Sequence, residues 1–363
     1  MKNVCFYCPE DIFQPGGGST VAANVLKNFS NGGTNYIVFS RRTNIPFELS
    51  SKYNVKRIWY PNSPILRVLF DLLIAPVILL KHKNHKVVCL NSIVPLLYPF
   101  HLEVFFQMRM FHYEELDTFS KKIKNILGVL SLKKAKKVFV ASEDHKRDLI
   151  KHLFLDETKI KVAYLGFDPK YDKEQLVTND KMKKNCYWLF ISIFRPYKNL
   201  EQLIEAYALL NRRYKNIPDL LIIGDYPKNY EGIEAYREKI KSIIASNMLS
   251  DKIMFLGLKP HKETMQYLAN ASLFIFPSKF EGFGLPILEA MALGVPVLSS
   301  DVHSLPEVGG DTIMYFKPHI PGDLYKKLDE IYLEGYKKNV SIAKDRSKMF
   351  TWGNTCNIIA NET

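Results

Sequence analysis

Two carboxylates eight residues apart, Glu281 and Glu289, bracket a glycine turn in FPSKFEGFGLPILEAMALGVPVLSS, residues 276–300. The apolar run LFIF at its head has strand character and is closed by Pro277 and Ser278. SKFEGFG then sets Glu281 beside Gly282 and Gly284, where a tight bend directs amide N–H groups at an anion. Pro286 suits a first helical turn, ILEAMAL continues it, and Gly294 ends it. Glu281 therefore falls in the turn before a helix, and Glu289 roughly one turn inside it. The helix N-terminus adds unpaired N–H groups and the positive end of the dipole. Backbone at Phe283, Gly284 and Leu285 is thus suited to a phosphate, while the two carboxylates accept hydrogen bonds from hydroxyls such as those of a sugar and a ribose. Glu at a helix start and Gly in a loop also have plain structural readings, and the spacing alone leaves both open.

A second constellation lies in ISIFRPYKNLEQLIEAY, where a strand ends just before Arg195 and Lys198 and a helix starts near Asn199. A guanidinium and an ammonium at such a junction neutralise a diphosphate leaving group as it gains charge. Gly17 and Gly18, in PGGGS after the first strand, lack GxGxxG spacing but permit close backbone approach to a phosphate or an acceptor; a structural turn is the other reading. His303 sits in SSDVHSLPEVGG, where Ser304 with Glu307 three residues on reads as a capping box. Paired aspartates after an apolar strand are missing and the nine histidines show no ligand spacing, so no metal is expected.

These segments together resemble the donor site of the retaining glycosyltransferases of the family 4 type, which pair two Rossmann-like domains across a cleft, the GT-B architecture. The likeness runs over almost the entire chain and is densest from Ile191 to Phe316, with the Glu, seven residues, Glu pattern intact. It implies that Glu281 contacts the transferred sugar, that the amides of Phe283, Gly284 and Leu285 meet sugar and phosphate, and that Glu289 holds the ribose. Gly17 and Gly18 would line the cleft near the donor phosphates. The family's Lys followed by Gly or Asn matches Lys198 and Asn199; the Arg usually five residues earlier is Ile193 here, with Arg195 offered instead. Where members often carry a His after the strand equivalent to EVFFQM, this chain has Gln107 in register, with Arg109 and His112 close behind. Gln107 can hydrogen-bond a sugar or acceptor but cannot act as a general base. The resemblance implies transfer from a nucleoside diphosphate sugar with retention, without cofactor or metal, in bacterial cell-surface polysaccharide synthesis.

At 363 residues the chain exceeds the size at which one core stops growing, which predicts two domains. VCFYC, YIVFS, HKVVCLN, EVFFQM, KVFVAS and KIKVAYL read as strands alternating with helical stretches, and CYWLFISI restarts that alternation. The expected fold is α/β, two doubly wound Rossmann-like domains. Polar residues from Asp168 to Asn185 suggest the linker. The expected divisions are 1–176 for the acceptor side, 177–343 for the nucleotide sugar, and a helical segment 344–363 crossing back to the first domain.

Hydrophobic residues at 47% and charged residues at 24% describe a folded globular protein. Five cysteines form no disulfide framework, and a strand would turn Cys5 and Cys8 to opposite faces. Residues 1–176 carry 26 Lys and Arg against 16 Asp and Glu, and residues 177–363 carry 24 against 21, within a net charge of +13. The basic clusters at 81–86, 121–124 and 133–137 suit an anionic membrane and a glycan acceptor on a polyprenyl phosphate. They would suit nucleic acid too, but no aromatic-basic motif supports it. Met1 to Asn3 leads straight into a strand without a signal peptide, and LLIAPVILL is too short to span a bilayer, so the expected place is cytoplasmic and peripheral on the inner face of the membrane. Rival readings are a nucleotide-sugar epimerase or phosphorylase on the same scaffold, and a basic nucleic-acid-binding protein.

Overall fold

Every residue of the first strand, VCFYC, is buried, as a strand covered by helices on both faces requires. The computed structural model describes residues 3–9, 17–30, 33–41, 44–45, 47–90, 92–107, 119–168, 171, 176, 187–227 and 231–361. The chain forms two compact units, Met1–Gly166 with Thr351–Thr363, and Phe167–Phe350.

The first unit contains β1 (Val4–Cys8), α1 (Gly17–Asn28), β2 (Tyr36–Ser40), α2 (Phe47–Lys52), β3 (Asn54–Ile58), α3 (Pro64–Leu69), α4 (Ala75–Leu79), β4 (Lys86–Cys89), β5 (Leu102–Phe105), α5 (Phe119–Lys134), β6 (Lys137–Val140), α6 (Glu143–Leu153) and β7 (Ile160–Val162). Its strands are all parallel, in the order β3-β2-β1-β4-β5-β6-β7.

The second unit contains β8 (Tyr187–Ile191), α7 (Leu200–Arg213), β9 (Asp219–Ile223), α8 (Ile233–Ser246), β10 (Ile253–Gly257), α9 (His261–Asn270), β11 (Leu273–Phe276), α10 (Leu285–Ala292), β12 (Val297–Ser300), α11 (Leu305–Gly309), β13 (Met314–Phe316), α12 (Asp323–Glu334) and α13 (Val340–Ser347). Its sheet is also parallel, ordered β10-β9-β8-β11-β12-β13. Both sheets are doubly wound, and in the second the order reverses between β8 and β11. Ligands of open α/β sheets bind beyond the carboxyl ends of the strands at such a reversal.

The chain closes with α14 (Trp352–Asn361), which belongs to the first unit. The Cys356 thiol lies 3.4 Å from the Val25 carbonyl, and the Thr355 hydroxyl donates to the Tyr164 carbonyl. Gly166 permits this return, because a Cβ there would come within 2.1 Å of the Trp352 backbone nitrogen.

Two elements depart from the sequence reading. NVKRI forms β3, an edge strand with only Ile58 buried, so it carries no apolar alternation by which to find it. PILRVLFDLLIAPVILLKHK, residues 64–83, has a helical pattern throughout but is broken into α3, a π turn at Phe70–Ile74, α4 and a 3-10 turn at Leu80–His82. Pro76 is the cause: it has no N–H to give and its ring crowds the preceding turn, and the Ala75 amide reaches back to the Phe70 carbonyl instead. Cys5, Cys8, Cys89 and Cys356 are buried, and none of the four is in a disulfide. Among the described residues no helix is long and apolar enough to cross a membrane.

Candidate active site

β8 and β11 are hydrogen-bonded neighbours, with Leu273 opposite Trp188 and Phe274 opposite Leu189. The loops that leave their carboxyl ends therefore emerge side by side. The loop after β8 makes a 3-10 turn, Pro196–Lys198, and passes into α7 through Asn199 in the left-handed conformation, φ 60°. Asn is one of the few residues that adopts this conformation at low cost. Its side-chain amide also donates to the Pro277 carbonyl at 3.0 Å, just past β11. A backbone bond from Lys279 N–H to the Tyr197 carbonyl, 2.8 Å, ties the same two loops again.

Held in this way, the Lys198 ammonium makes a hydrogen-bonded ion pair with Glu281 Oε1, with side-chain exposures of 16% and 12%. Nζ also lies 5.2 Å from the centre of the Tyr197 ring and 5.6 Å from that of Phe276, both able to stabilise a cation. Arg195 precedes the turn, its side chain half-buried, and its carbonyl accepts from the Lys198 amide at 2.8 Å.

The turn of Glu281 is fixed from below. Ser300 Oγ donates to the Ser278 carbonyl at 2.5 Å and Ser304 Oγ to the Glu281 carbonyl at 3.3 Å. Gly284 starts α10 with φ 103°, and a Cβ there would meet Leu305 Cδ2 at 2.6 Å, so backbone conformation and packing both demand glycine. Phe283 is buried, its ring 5.8 Å from that of Phe350, which leaves its backbone rather than its ring for a ligand. The first backbone bonds of α10 run from Ile287 and Leu288 to the Gly284 carbonyl, at 3.1 and 3.2 Å. The Leu285 amide precedes them, among those with no intrahelical acceptor.

Glu289 lies one turn into α10. Burial pushes its carboxyl up to about 8. The nearest cation candidate, His261 Nε2 at the start of α9, is 3.8 Å from Oε1, beyond hydrogen-bonding reach, so desolvation governs. Tyr171 meets the His261 ring edge-on, with centroids 5.0 Å apart. The sequence reading overlooked both residues, because nothing local ties Tyr171 and the start of α9 to the FEGFG turn.

The remaining candidates are placed as follows. Gly17 and Gly18 are the first two residues of α1. Gln107 follows β5, its amide N–H donating to Ser92 Oγ at 3.0 Å and its side-chain amide to the Leu90 carbonyl at 3.3 Å. Arg109 and His112 lie outside the described residues. His303 adopts φ 52° and packs its ring on Phe280 at 4.7 Å. The capping box expected at Ser304 does not form: Ser304 precedes α11 with helical rather than extended backbone, φ −76° and ψ −10°, and without a side-chain cap, while its hydroxyl donates to the Glu281 carbonyl. Among the described residues no three His, Cys, Asp or Glu side chains are grouped to hold a metal ion.

The profile described as "Glycosyl transferases group 1" matches residues 171–349, and that described as "Glycosyltransferase Family 4" matches residues 15–171. The chain is related to these glycosyltransferases. It is 29% identical over 232 residues to the O-antigen chain mannosyltransferase B of Escherichia coli, covering 62% of this chain and 59% of that enzyme. Two solved structures extend the likeness to the full length. Sucrose-phosphate synthase from Thermosynechococcus elongatus superposes with a TM-score of 0.80 at 16% identity, covering 99% of this chain and 97% of the other. HepE of Anabaena, solved with UDP and glucose, gives 0.76 at 19% identity, covering 99% and 98%. At these identities the likeness is one of fold, the GT-B fold of paired Rossmann-like domains.

Proposed function

We propose that this glycosyltransferase relative moves a sugar, with retention at the anomeric carbon, from a nucleoside diphosphate sugar to a glycan or polyprenyl-phosphate-linked acceptor in cell-surface polysaccharide synthesis. The observation that carries the reading is the Lys198–Glu281 pair set against the N-terminus of α10, at the strand-order reversal. A cation, a helix N-terminus and a carboxylate within one site match the three parts of such a donor. The diphosphate takes Lys198, assisted by Arg195 and the amides of Gly284 and Leu285. Glu281, released by its lysine, accepts from sugar hydroxyls, and Glu289 takes the ribose. The O-antigen mannosyltransferase relative and the UDP-bound neighbour support this class of donor and acceptor.

In the reaction the bond from the anomeric carbon to the diphosphate oxygen breaks, and the departing oxygen gains charge beside the Lys198 ammonium. A phosphate oxygen on the same face accepts the proton of the acceptor hydroxyl, whose oxygen bonds to the anomeric carbon. Retention follows from attack on the face the leaving group vacates. Gln107, Gly17 and Gly18 serve the acceptor side and the donor phosphates. The basic first half of the sequence suits a phosphate-bearing carrier at an anionic membrane surface.

Incubation with purified nucleoside diphosphate sugars and lipid-linked acceptor extracts, in the presence of a chelator, tests the proposal. An axial or equatorial linkage matching the donor anomer, with turnover kept under chelation, is expected. Recovery of an epimerised free sugar without an acceptor product would instead favour the epimerase reading.

A further inference from the structure

The α3–α4 segment is apolar on the wrong side. Its inner face supplies Phe70, Ala75 and Leu79 to the core of the first unit. That face also holds the one acidic residue between positions 54 and 83, Asp71, which accepts from the Tyr7 hydroxyl at 2.5 Å and from the Tyr60 hydroxyl at 2.8 Å. The outer face should then be polar. Instead Ile65, Leu66, Leu69, Leu73, Val77 and Leu80 are exposed, Ile65 at 73% and Val77 at 62%. Apart from the adjacent Ile65 and Leu66 they recur every three or four residues, through the π turn, which sets them in one stripe. Trp59, five residues before α3, is exposed as well, at 55%, with its ring 6.2 Å from that of Phe70. A continuous stripe of this kind on a soluble surface marks an interaction site.

Charge selects the partner. Lys56 of the edge strand β3 and Lys81 both lie near His82 at the end of the stripe, and Arg57 and Lys83 are exposed as well. The only carboxylate between positions 54 and 83 is buried and bonded, so the exposed charges of this stretch are cations. We propose that the outer face of α3–α4, with Trp59, is the surface on which this protein sits in an anionic lipid headgroup layer, its apolar side chains inserted and its lysines against the headgroups. A second copy meeting this face with its own would set lysine and arginine against lysine and arginine, whereas a headgroup layer supplies the anions they lack. The apolar contact also distinguishes the proposal from attraction by the lysine cluster at 133–137 alone. The proposal deepens the reading of a membrane-borne acceptor and rests on it.

The test needs neither donor nor acceptor. The chain has three tryptophans, and Trp188 and Trp352 are buried at 3% and 4% exposure, so a change of fluorescence on adding vesicles reports Trp59. With vesicles of phosphatidylcholine and phosphatidylglycerol in equal parts, a blue shift and quenching by brominated lipid are expected, both weaker on phosphatidylcholine alone. Leu73→Glu with Val77→Glu should lower partitioning at least about tenfold, with nucleoside diphosphate binding by calorimetry unchanged. Neutralising Lys133, Lys134, Lys136 and Lys137 should change it far less. The wild-type quenching stands without any variant. A silent Trp59, partitioning indifferent to the Glu substitutions or to lipid charge, or self-association that Leu73→Glu abolishes would each overturn the proposal. Loss of nucleoside diphosphate binding by the wild type would count against the donor reading and leave the vesicle result intact.

Discussion

Lys198 and Glu281 stand 83 residues apart in the chain and share a hydrogen bond. They meet because β8 and β11 pair directly, although β9 and β10 and their helices come between them in sequence. The pair is held in a partly dry site, so removing one member leaves the other charge poorly solvated.

Lys198→Met should cost on the order of 2 kcal/mol of stability through the unpaired Glu281 carboxylate, and adding Glu281→Gln should return most of it. Thermal melts of the two single variants and the double variant measure this coupling; additive losses would contradict it. The same Lys198→Met should lower nucleoside diphosphate affinity about tenfold or more, leave nucleoside affinity nearly unchanged, and slow transfer by about a hundredfold.

Glu289 gives a pH signature. Its folded value of about 8 lies above the ordinary 4.5. Between those values the unfolded chain has lost this proton and the folded one keeps it, so stability falls as pH rises through the window, by at most about 1.4 kcal/mol per pH unit. Glu289→Gln should therefore melt with the parent near the lower limit and above it near the upper one. Parallel melting curves across the range would remove the assigned burial cost.

Asn199 combines a left-handed backbone with a bond to Pro277. Asn199→Gly keeps the first and loses the second, whereas Asn199→Ala loses both. Alanine should be the more destabilising by about 1 kcal/mol, and both should weaken diphosphate binding by loosening the turn that aims Lys198. Equal stability of the two variants would show that the backbone conformation costs nothing here.

Gly284→Ala meets strain and a clash at once. A loss of about 1–3 kcal/mol is expected, and adding Leu305→Ala should relieve the clash but not the φ of 103°. Partial recovery in urea melts is the expected outcome, and full recovery would show that φ carries no strain.

Much of the site was legible because it is local. The strand LFIF, the turn FEGFG and the helix after Pro286 occupy consecutive residues, and their periodicity and glycines place Glu281 before the helix and Glu289 within it. Asn199 was legible in part: Asn after Lys marks a turn, but its hold on Pro277 is a tertiary fact. The capping box at Ser304 was misread because the cap needs an extended backbone at the serine, and the fold gives Ser304 a helical one. The lysine clusters drew attention to charge, whereas the exposed face of α3–α4 was invisible, since Leu and Ile read alike whether they face a core or water.

By itself, then, the sequence determined what depends on neighbours along the chain: alternating strands and helices, two sheets' worth of them, and the donor-site turn with its carboxylates. Tertiary structure alone decided what depends on neighbours across it. It set β8 beside β11 and so paired Lys198 with Glu281, desolvated Glu289 enough to raise its carboxyl to about 8, and turned Asp71 inward and Leu73 outward on the same π turn. The physical reason is that hydrogen bonding and backbone strain within a turn act over a few residues, whereas desolvation and ion pairing follow distance in space, which only the order of strands in the sheet fixes.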